Sequence, residues 1–395
     1  MEIGYEMSRT LVGFGLTAVA IIHSIRRSID PTKEATMSLL RVIQRAGFLI
    51  SIAILTFAAT SALAASAPLS PAQLGLYQGA DREKILIEGA KKEGQFTLYD
   101  SHTWFRTIAR EFEKKYPFIK VSEWRSDGRN LIKRALEEIG AGQYIADVIA
   151  TTSEQMAIMK REGVFQEYTS ADARHYPDEV KAKGKNGFYY IGHYETYNSL
   201  GFNTSLIPAG EAPKTMSDLL NPKWKGKMSI VSTTTGTRWI GNTLNVMGRE
   251  FLEKMADQEV QVQNMSGAAL AGLVVSGEVP LSPTIFDANI HTAKQKGAPV
   301  EWRPLEPVVT TVGYSGLTLK APRPHAGLLF LDYLHSKEGQ QLIMKGGLWS
   351  PREDVGSLEQ KFKKSYIDEK YSLDEAEKKF AEWDNLMQRL FIKRR

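Results

Sequence analysis

Lys227–Thr243 reads KMSIVSTTTGTRWIGNT. Met228, Ile230 and Val231 spell a short buried strand, Ser232–Thr237 break it, and Arg238–Met247 resume as a helix. On that helix Trp239, Ile240, Leu244 and Met247 fall on one face. A strand that enters a helix through hydroxyl residues and one glycine leaves free backbone N–H groups at the helix start. Those donors and the positive end of the helix dipole favour an anionic group. Thr235, Gly236 and Thr237 are the expected donors, Gly236 leaving room for close approach and Arg238 adding a fixed positive charge. A capped helix with a surface arginine is the plainer alternative. The stretch gains weight because the same strand, polar turn and helix recur along the chain.

Before it, Asp81 opens a helix through Lys91, Gln95–Tyr99 is a strand, and Asp100, Ser101 and His102 form its exit turn. Thr103–Tyr116 is helical, Phe118–Trp124 alternates as a strand, and Asp127 caps a helix over Arg129–Ile139. Ala146–Ala150 is a buried strand leaving through Thr151, Thr152 and Ser153, with Ser153 capping the next helix. Phe188–Asn203, FYYIGHYETYNSLGFN, is aromatic and β-prone and is expected to cross between lobes. After the opening stretch, Glu250–Ala256, Ser266–Ser276 and Thr284–Lys296 are predicted helices, and Val260–Asn264 and Val279–Ser282 strands. Val300–Arg303, Pro307–Val312 and Tyr314–Lys320 are further strands, the last a return to the first lobe. Ser372 with Glu375 makes a capping box for a helix over Leu373–Phe391. Strands alternating with helices predict an α/β fold. The expected lobes are 80–203 and 204–312, with 313–358 returning to the first and 359–395 a helical tail.

The 395 residues suit two lobes better than one core, and 43% hydrophobic with 24% charged residues is an ordinary globular balance. A net charge of +5 is spread among acids, without the basic stripe interleaved with aromatics that nucleic acid would need, so no nucleic-acid partner is expected. Met37–Ala64 has the parts of a secretory signal: Arg41 and Arg45, an apolar Gly47–Ala59, and Ala62-Leu63-Ala64 as cleavage site. The preferred reading starts translation at Met37 and cleaves after Ala64; a long leader or a retained anchor is the alternative. Residues 1–64 carry six basic and four acidic residues, so the remainder has a net charge of +3. There is no cysteine, hence no disulfide and no lipid-modified cysteine, which fits a free periplasmic protein.

Enzyme signatures are missing from the sequence: no G-x-S-x-G, no H-E-x-x-H and no G-x-x-x-x-G-K-[ST]. No cofactor is expected. Several strand-exit turns carry polar groups, and ligands of open α/β sheets bind beyond the carboxyl ends of the strands. The ligand-binding candidates are therefore Ser101, His102, Thr152, Ser153, Thr235, Gly236, Thr237, Arg238, Asp287 and Tyr314. A hydrolase using Ser101 or Ser153 is the enzyme alternative.

From Asp81 to Val355 the chain resembles the periplasmic solute-binding components of ABC importers, in the subgroup of ferric-iron, thiamine and polyamine binders. The resemblance is carried, in order, by REKILIEGAKKEGQFTLYDS (Arg82–Ser101), FEKKYPFIKV (Phe112–Val121), ADVIATTS (Ala146–Ser153), GFNTSLIP (Gly201–Pro208), APKTMSDLLNPKWKGKM (Ala212–Met228), KGAPVEW (Lys296–Trp302) and LDYLHSKEGQQLI (Leu331–Ile343). It implies a type II periplasmic-binding-protein fold, two α/β lobes with a hinge and an interlobe cleft that close on a solute, and a membrane permease and ATPase as partners of a monomer. Ferric binders of the family use a pair of adjacent tyrosines, where this chain has Phe286-Asp287-Ala288. A ferric site would be left with His102, Glu154 and Asp287, without phenolates. No metal site is expected on that basis. A small organic anion is the preferred solute, ferric iron the alternative, and a cationic or neutral solute the remainder.

Overall fold

The computed structural model describes residues 69–102, 104–355 and 361–393. The expected signal segment and its cleavage after Ala64 lie outside the described residues. Strand β5 (Phe188–Asn203) spans 16 residues, about 50 Å at roughly 3.3 Å per residue, enough to run through two lobes. It does so because its aromatic residues tolerate burial on both faces of a sheet and no proline interrupts it.

Lobe 1 is built on β1 (Gln95–Asp100), β2 (Lys120–Arg125), β3 (Val148–Thr152), β4 (Lys181–Lys183) and β10 (Val308–Leu317). Its order is β2-β1-β3-β10-β5-β4, with β1 parallel to β2 and β3, and β10 antiparallel to β3 and β5. Helices cover the sheet: α1 (Pro71–Leu76), α2 (Arg82–Glu93), α3 (Phe105–Lys115), α4 (Gly128–Gly140), α5 (Ser153–Arg161), then α10 (Pro324–His335) and α11 (Lys337–Lys345) late in the chain. One core unites them, with Phe96, Leu98, Phe105, Phe112, Val148 and Phe330 fully enclosed.

In lobe 2, β5 continues between β8 (Leu281–Phe286) and β9 (Val300–Arg303), both antiparallel to it. β6 (Ser229–Val231) joins β8 through a Met228–Leu281 bridge and pairs in parallel with β7 (Gln261–Gln263). Helices α6 (Thr234–Met247), α7 (Arg249–Asp257), α8 (Gly267–Ser276) and α9 (Asp287–Gln295) pack around this sheet. Two separate apolar clusters result, one around Leu200, Phe202, Ile230 and Ile240, the other around Leu270, Val274, Ile285 and Ile290.

The last segment is not helical throughout. Residues 361–372 run as a strap with a two-residue strand, β11 (Lys364–Ser365), laid on the Val308–Val309 end of β10. Only then does α12 (Leu373–Met387) begin, opened by the Ser372–Glu375 capping box and closed by a π turn over Gln388–Ile392. Trp383, Leu386, Met387 and Phe391 sink into the lobe 2 core.

Three boundaries differ from the sequence reading. The strands expected at Pro307–Val312 and Tyr314–Lys320 are one strand; Gly313 does not break it but pairs with Tyr194, whose ring fills the space a Cβ would need. A register shift at Gly313/Tyr314 absorbs the irregularity. Residues Thr284–Phe286, read as helical, extend β8. And α6 starts at Thr234, so that the polar turn shrinks to Ser232 and Thr233.

Candidate functional site

Strands β1 and β3 are parallel and end side by side, which brings their exit turns together. Ser101 Oγ lies 2.9 Å from Thr151 Oγ1. Thr152 is the N-cap of α5 without a side-chain cap bond; its hydroxyl donates to Gln155 instead. Ser153, expected as the cap, is the first helical residue, and its Oγ donates to Glu369 Oε1 at 2.6 Å. Across from α5, the first turn of α6 also lacks a side-chain cap, and its first internal backbone bond is Thr237 N–H to Thr233 C=O. The N–H groups of Thr234, Thr235 and Gly236 therefore have no acceptor within the helix.

Between these two helix starts lies a cavity of about 340 Å³. Ser153, Glu154 and Ala157 of α5 line one side, Thr234 and Arg238 of α6 the other, and Asp368, Tyr371, Glu377 and Phe380 of the strap and α12 close it. The arginine is not free. Its Nε donates to Asp368 Oδ1 at 2.8 Å, with the two side chains only 16% and 8% exposed, and its guanidinium sits over the Phe380 ring. Whatever it offers a ligand, Arg238 has a structural role in this ion pair, since removing one partner leaves the other charge buried.

Gly236 also has a different reason. A Cβ there would come within 1.8 Å of the Val231 carbonyl oxygen, so glycine lets α6 pack against the end of β6 rather than admitting a ligand. Thr237 is 5% exposed, its hydroxyl 3.4 Å from the Thr233 carbonyl. Thr235 borders the hinge, where its carbonyl accepts from Asn198 Nδ2 at 3.4 Å.

His102 and Asp287 do not line that cavity. His102 is packed with Trp104, Phe105, His193 and Tyr194, and burial lowers its pKa to about 3, so the imidazole is neutral. Asp287 heads α9 with one carboxylate oxygen on the Tyr197 N–H at 2.8 Å and the other on the Trp349 indole. Burial raises its pKa. Glu154, by contrast, is exposed at the cavity wall. Among the described residues no group of three or more His, Asp or Glu side chains is gathered as for a metal ion. Among the described residues neither Ser101 nor Ser153 has a histidine partner; one bonds a threonine and the other a carboxylate.

Tyr314 lies on the β10 crossover, and its hydroxyl donates to the same Glu369 Oε1 at 2.8 Å. Glu369 Oε2 is buried without a partner among the described residues, and burial first, then the neighbouring Asp368 charge, raises the pKa to about 7. Asp368 and Glu369 thus escaped the sequence reading, although they touch three of its candidates. The only signal was an adjacent acid pair between tyrosines, YIDEKY (Tyr366–Tyr371), in a stretch without helical periodicity.

A family model of bacterial extracellular solute-binding proteins matches residues 143–374, from the Ser153 side of the cavity through the strap. The chain belongs to that family. The family is one of transport binding proteins, solute-binding components of ABC importers that act outside the cytoplasm. A protein of Haemophilus influenzae is 26% identical over 273 residues, 65% of this chain and 78% of the relative. Among solved structures, the Trichodesmium protein IdiA (FutA) with iron and citrate superposes with a TM-score of 0.60 at 20% identity, covering 75% of this chain and 99% of that one. AfuA of Actinobacillus pleuropneumoniae, with fructose-6-phosphate bound, gives 0.58 at 22%, covering 75% and 99%. Iron-bound HitA of Pseudomonas aeruginosa gives 0.59 at 20%, covering 73% and 99%. At these identities the solved structures establish the two-lobed fold of this solute-binding protein.

Proposed function

We propose that this solute-binding protein captures a small organic anion between the first turns of α5 and α6 and delivers it to an ABC permease and its ATPase. One observation carries the reading: two helix starts, one from each lobe and neither capped by a side chain, border the same cavity beside Arg238. Helix starts concentrate unpaired N–H groups and positive dipole, and closing the lobes would bring both to bear on one anionic group. The bound sugar phosphate of AfuA and the citrate of the Trichodesmium protein are anions of the sort this arrangement accommodates. In this reading the protein is not an enzyme, works as a monomer, and is exported to the periplasm after cleavage behind Ala64.

A second reading has an observation of its own. Glu154, Asp368 and Glu377 put three carboxylates on the wall of the same cavity, with the Tyr371 and Phe380 rings, which suits a cationic solute. Thermal-shift screening of the protein with matched sets of carboxylates, phosphate esters and amines separates the two. Stabilisation by carboxylates or phosphate esters is expected; stabilisation by amines alone overturns the anionic reading in favour of the cationic one. N-terminal sequencing of the exported protein should begin at Ala65.

A further inference from the structure

We propose that the strap is a latch between the lobes: Glu369 ties lobe 1 to the strap, and Asp368 ties the strap to the arginine that borders the solute cavity. Nothing in the family match assigns a role to either residue. The device rests on three sets of contacts.

The strap is fixed at the hinge. Lys364 and Ser365 pair with β10, Lys364 Nζ lies 2.5 Å from Glu195 Oε2, and the Tyr366 hydroxyl donates to Glu195 Oε1 at 2.6 Å. Glu195 itself sits on the β5 crossover, fully buried. From that fixed point the next residues reach in two directions. Asp368 takes Arg238 on α6 of lobe 2. Glu369 takes Ser153, the first residue of α5 in lobe 1, and Tyr314 on the β10 crossover. Past Tyr371 the chain becomes α12, buried in the lobe 2 core. The strap is therefore part of lobe 2 by its packing, and Glu369–Ser153 is a bond from lobe 2 to lobe 1.

Adjacency couples the two acids. A solute anion that takes Arg238 must displace Asp368, and the backbone that carries Asp368 also carries Glu369. Loss of the Asp368 anchor therefore loosens the hold on Ser153 at the mouth of α5. The cavity and the lobe tie are linked through one peptide bond, and a linkage of this kind acts in both directions. The latch builds on the anionic reading only in this last step; the tie itself exists without solute.

The test exploits the absence of cysteine. Glu137→Cys on α4 of lobe 1 and Lys254→Cys on α7 of lobe 2, both exposed positions, accept a pair of spin labels for distance measurement by pulsed electron resonance. Without solute, Glu369→Ala and Ser153→Ala should each broaden the interlobe distribution and move its mean by more than about 2 Å. The double variant should go no further than Glu369→Ala, which already removes the Ser153 bond together with that from Tyr314. Glu369→Gln keeps an acceptor for Ser153 and Tyr314 and should stay near the parent. Ser153→Ala decides alone if Glu369→Ala does not fold. Distributions that ignore both alanine variants overturn the latch. Inorganic phosphate then tests the coupling: Asp368→Asn should bind it about 10-fold more tightly, as the charge-assisted bond to Arg238 becomes available. If no variant binds phosphate yet the distances move, the latch stands and the anionic reading fails. If phosphate binds and the distances do not move, the reading stands and the latch fails.

Discussion

At the level of single residues, Arg238 shows what a sequence can and cannot convey. Its position one turn into a helix that follows a hydroxyl turn marks it as a cation facing a cleft, and it does border the cavity. Its partner lies 130 residues further on, and nothing in the local pattern points to Asp368. The consequence is testable by stability as well as by binding. Arg238→Ala strands a carboxylate that is only 8% exposed, which should cost about 3 kcal/mol, while Arg238→Ala with Asp368→Ala should recover much of it. Equal stability of the single and double variants in urea titrations would show that the pair contributes nothing. Gly236 misled in a different way. Its glycine is legible as a site of close approach, but the approaching group is the Val231 carbonyl, so Gly236→Val should lower the melting temperature sharply. A variant that melts like the parent would contradict this packing.

At the level of elements, periodicity did most of the work. β5 was readable to the residue because sixteen consecutive residues avoid helix patterning and proline, and α12 because its capping box is a local device. The strap was not, because 361–372 owes its shape to partners on β10, α5 and α6 rather than to its own pattern. The strap also gives the fold a pH dependence. Ordinary glutamate loses its proton near 4.5, whereas Glu369 holds it to about 7. Between those values the folded chain binds the proton and the unfolded chain does not. This contribution to stability is therefore complete below pH 4.5 and is lost as pH rises through 7. Its geometry agrees: Ser153 and Tyr314 both donate to Oε1, leaving Oε2, buried and unpartnered, to carry the proton, with Asp368 alongside and Tyr190 and Tyr366 nearby. Glu369→Gln cannot titrate. Relative to the parent it should gain stability from pH 5 to pH 7.5, by up to about 3 kcal/mol. A constant difference across that range in denaturant titrations would exclude the titration of Glu369.

At the scale of the whole molecule, the two lobes have separate apolar cores and share β5, β10 and the strap. The two-lobed plan was legible from the alternation of strands and helices and from the ordered resemblance. How the last helix contributes was not, since an amphipathic tail reads the same whether it is docked or free. Docking is decided by α6, where Gly241 leaves space that the Trp383 ring fills; a Cβ there would lie 2.3 Å from the ring. Trp383, Leu386, Met387 and Phe391 are buried in lobe 2, and at roughly 1.5–3 kcal/mol for each large apolar side chain they supply on the order of 8 kcal/mol. That is comparable with the whole stability of an ordinary domain. Truncation after Ser372 should therefore unfold lobe 2 at a much lower temperature while the lobe 1 core, which takes no residue from α12, persists. Calorimetry of the truncated chain should show a lobe 2 transition well below that of lobe 1. Hydrogen exchange should find α6 and β6 unprotected in the truncated chain and β1 and β3 still protected. A truncated chain that melts in one transition near the parent temperature would mean that α12 is not part of the lobe 2 core, and that the strap is held without it by β11 and by its bonds to Glu195, Arg238, Ser153 and Tyr314.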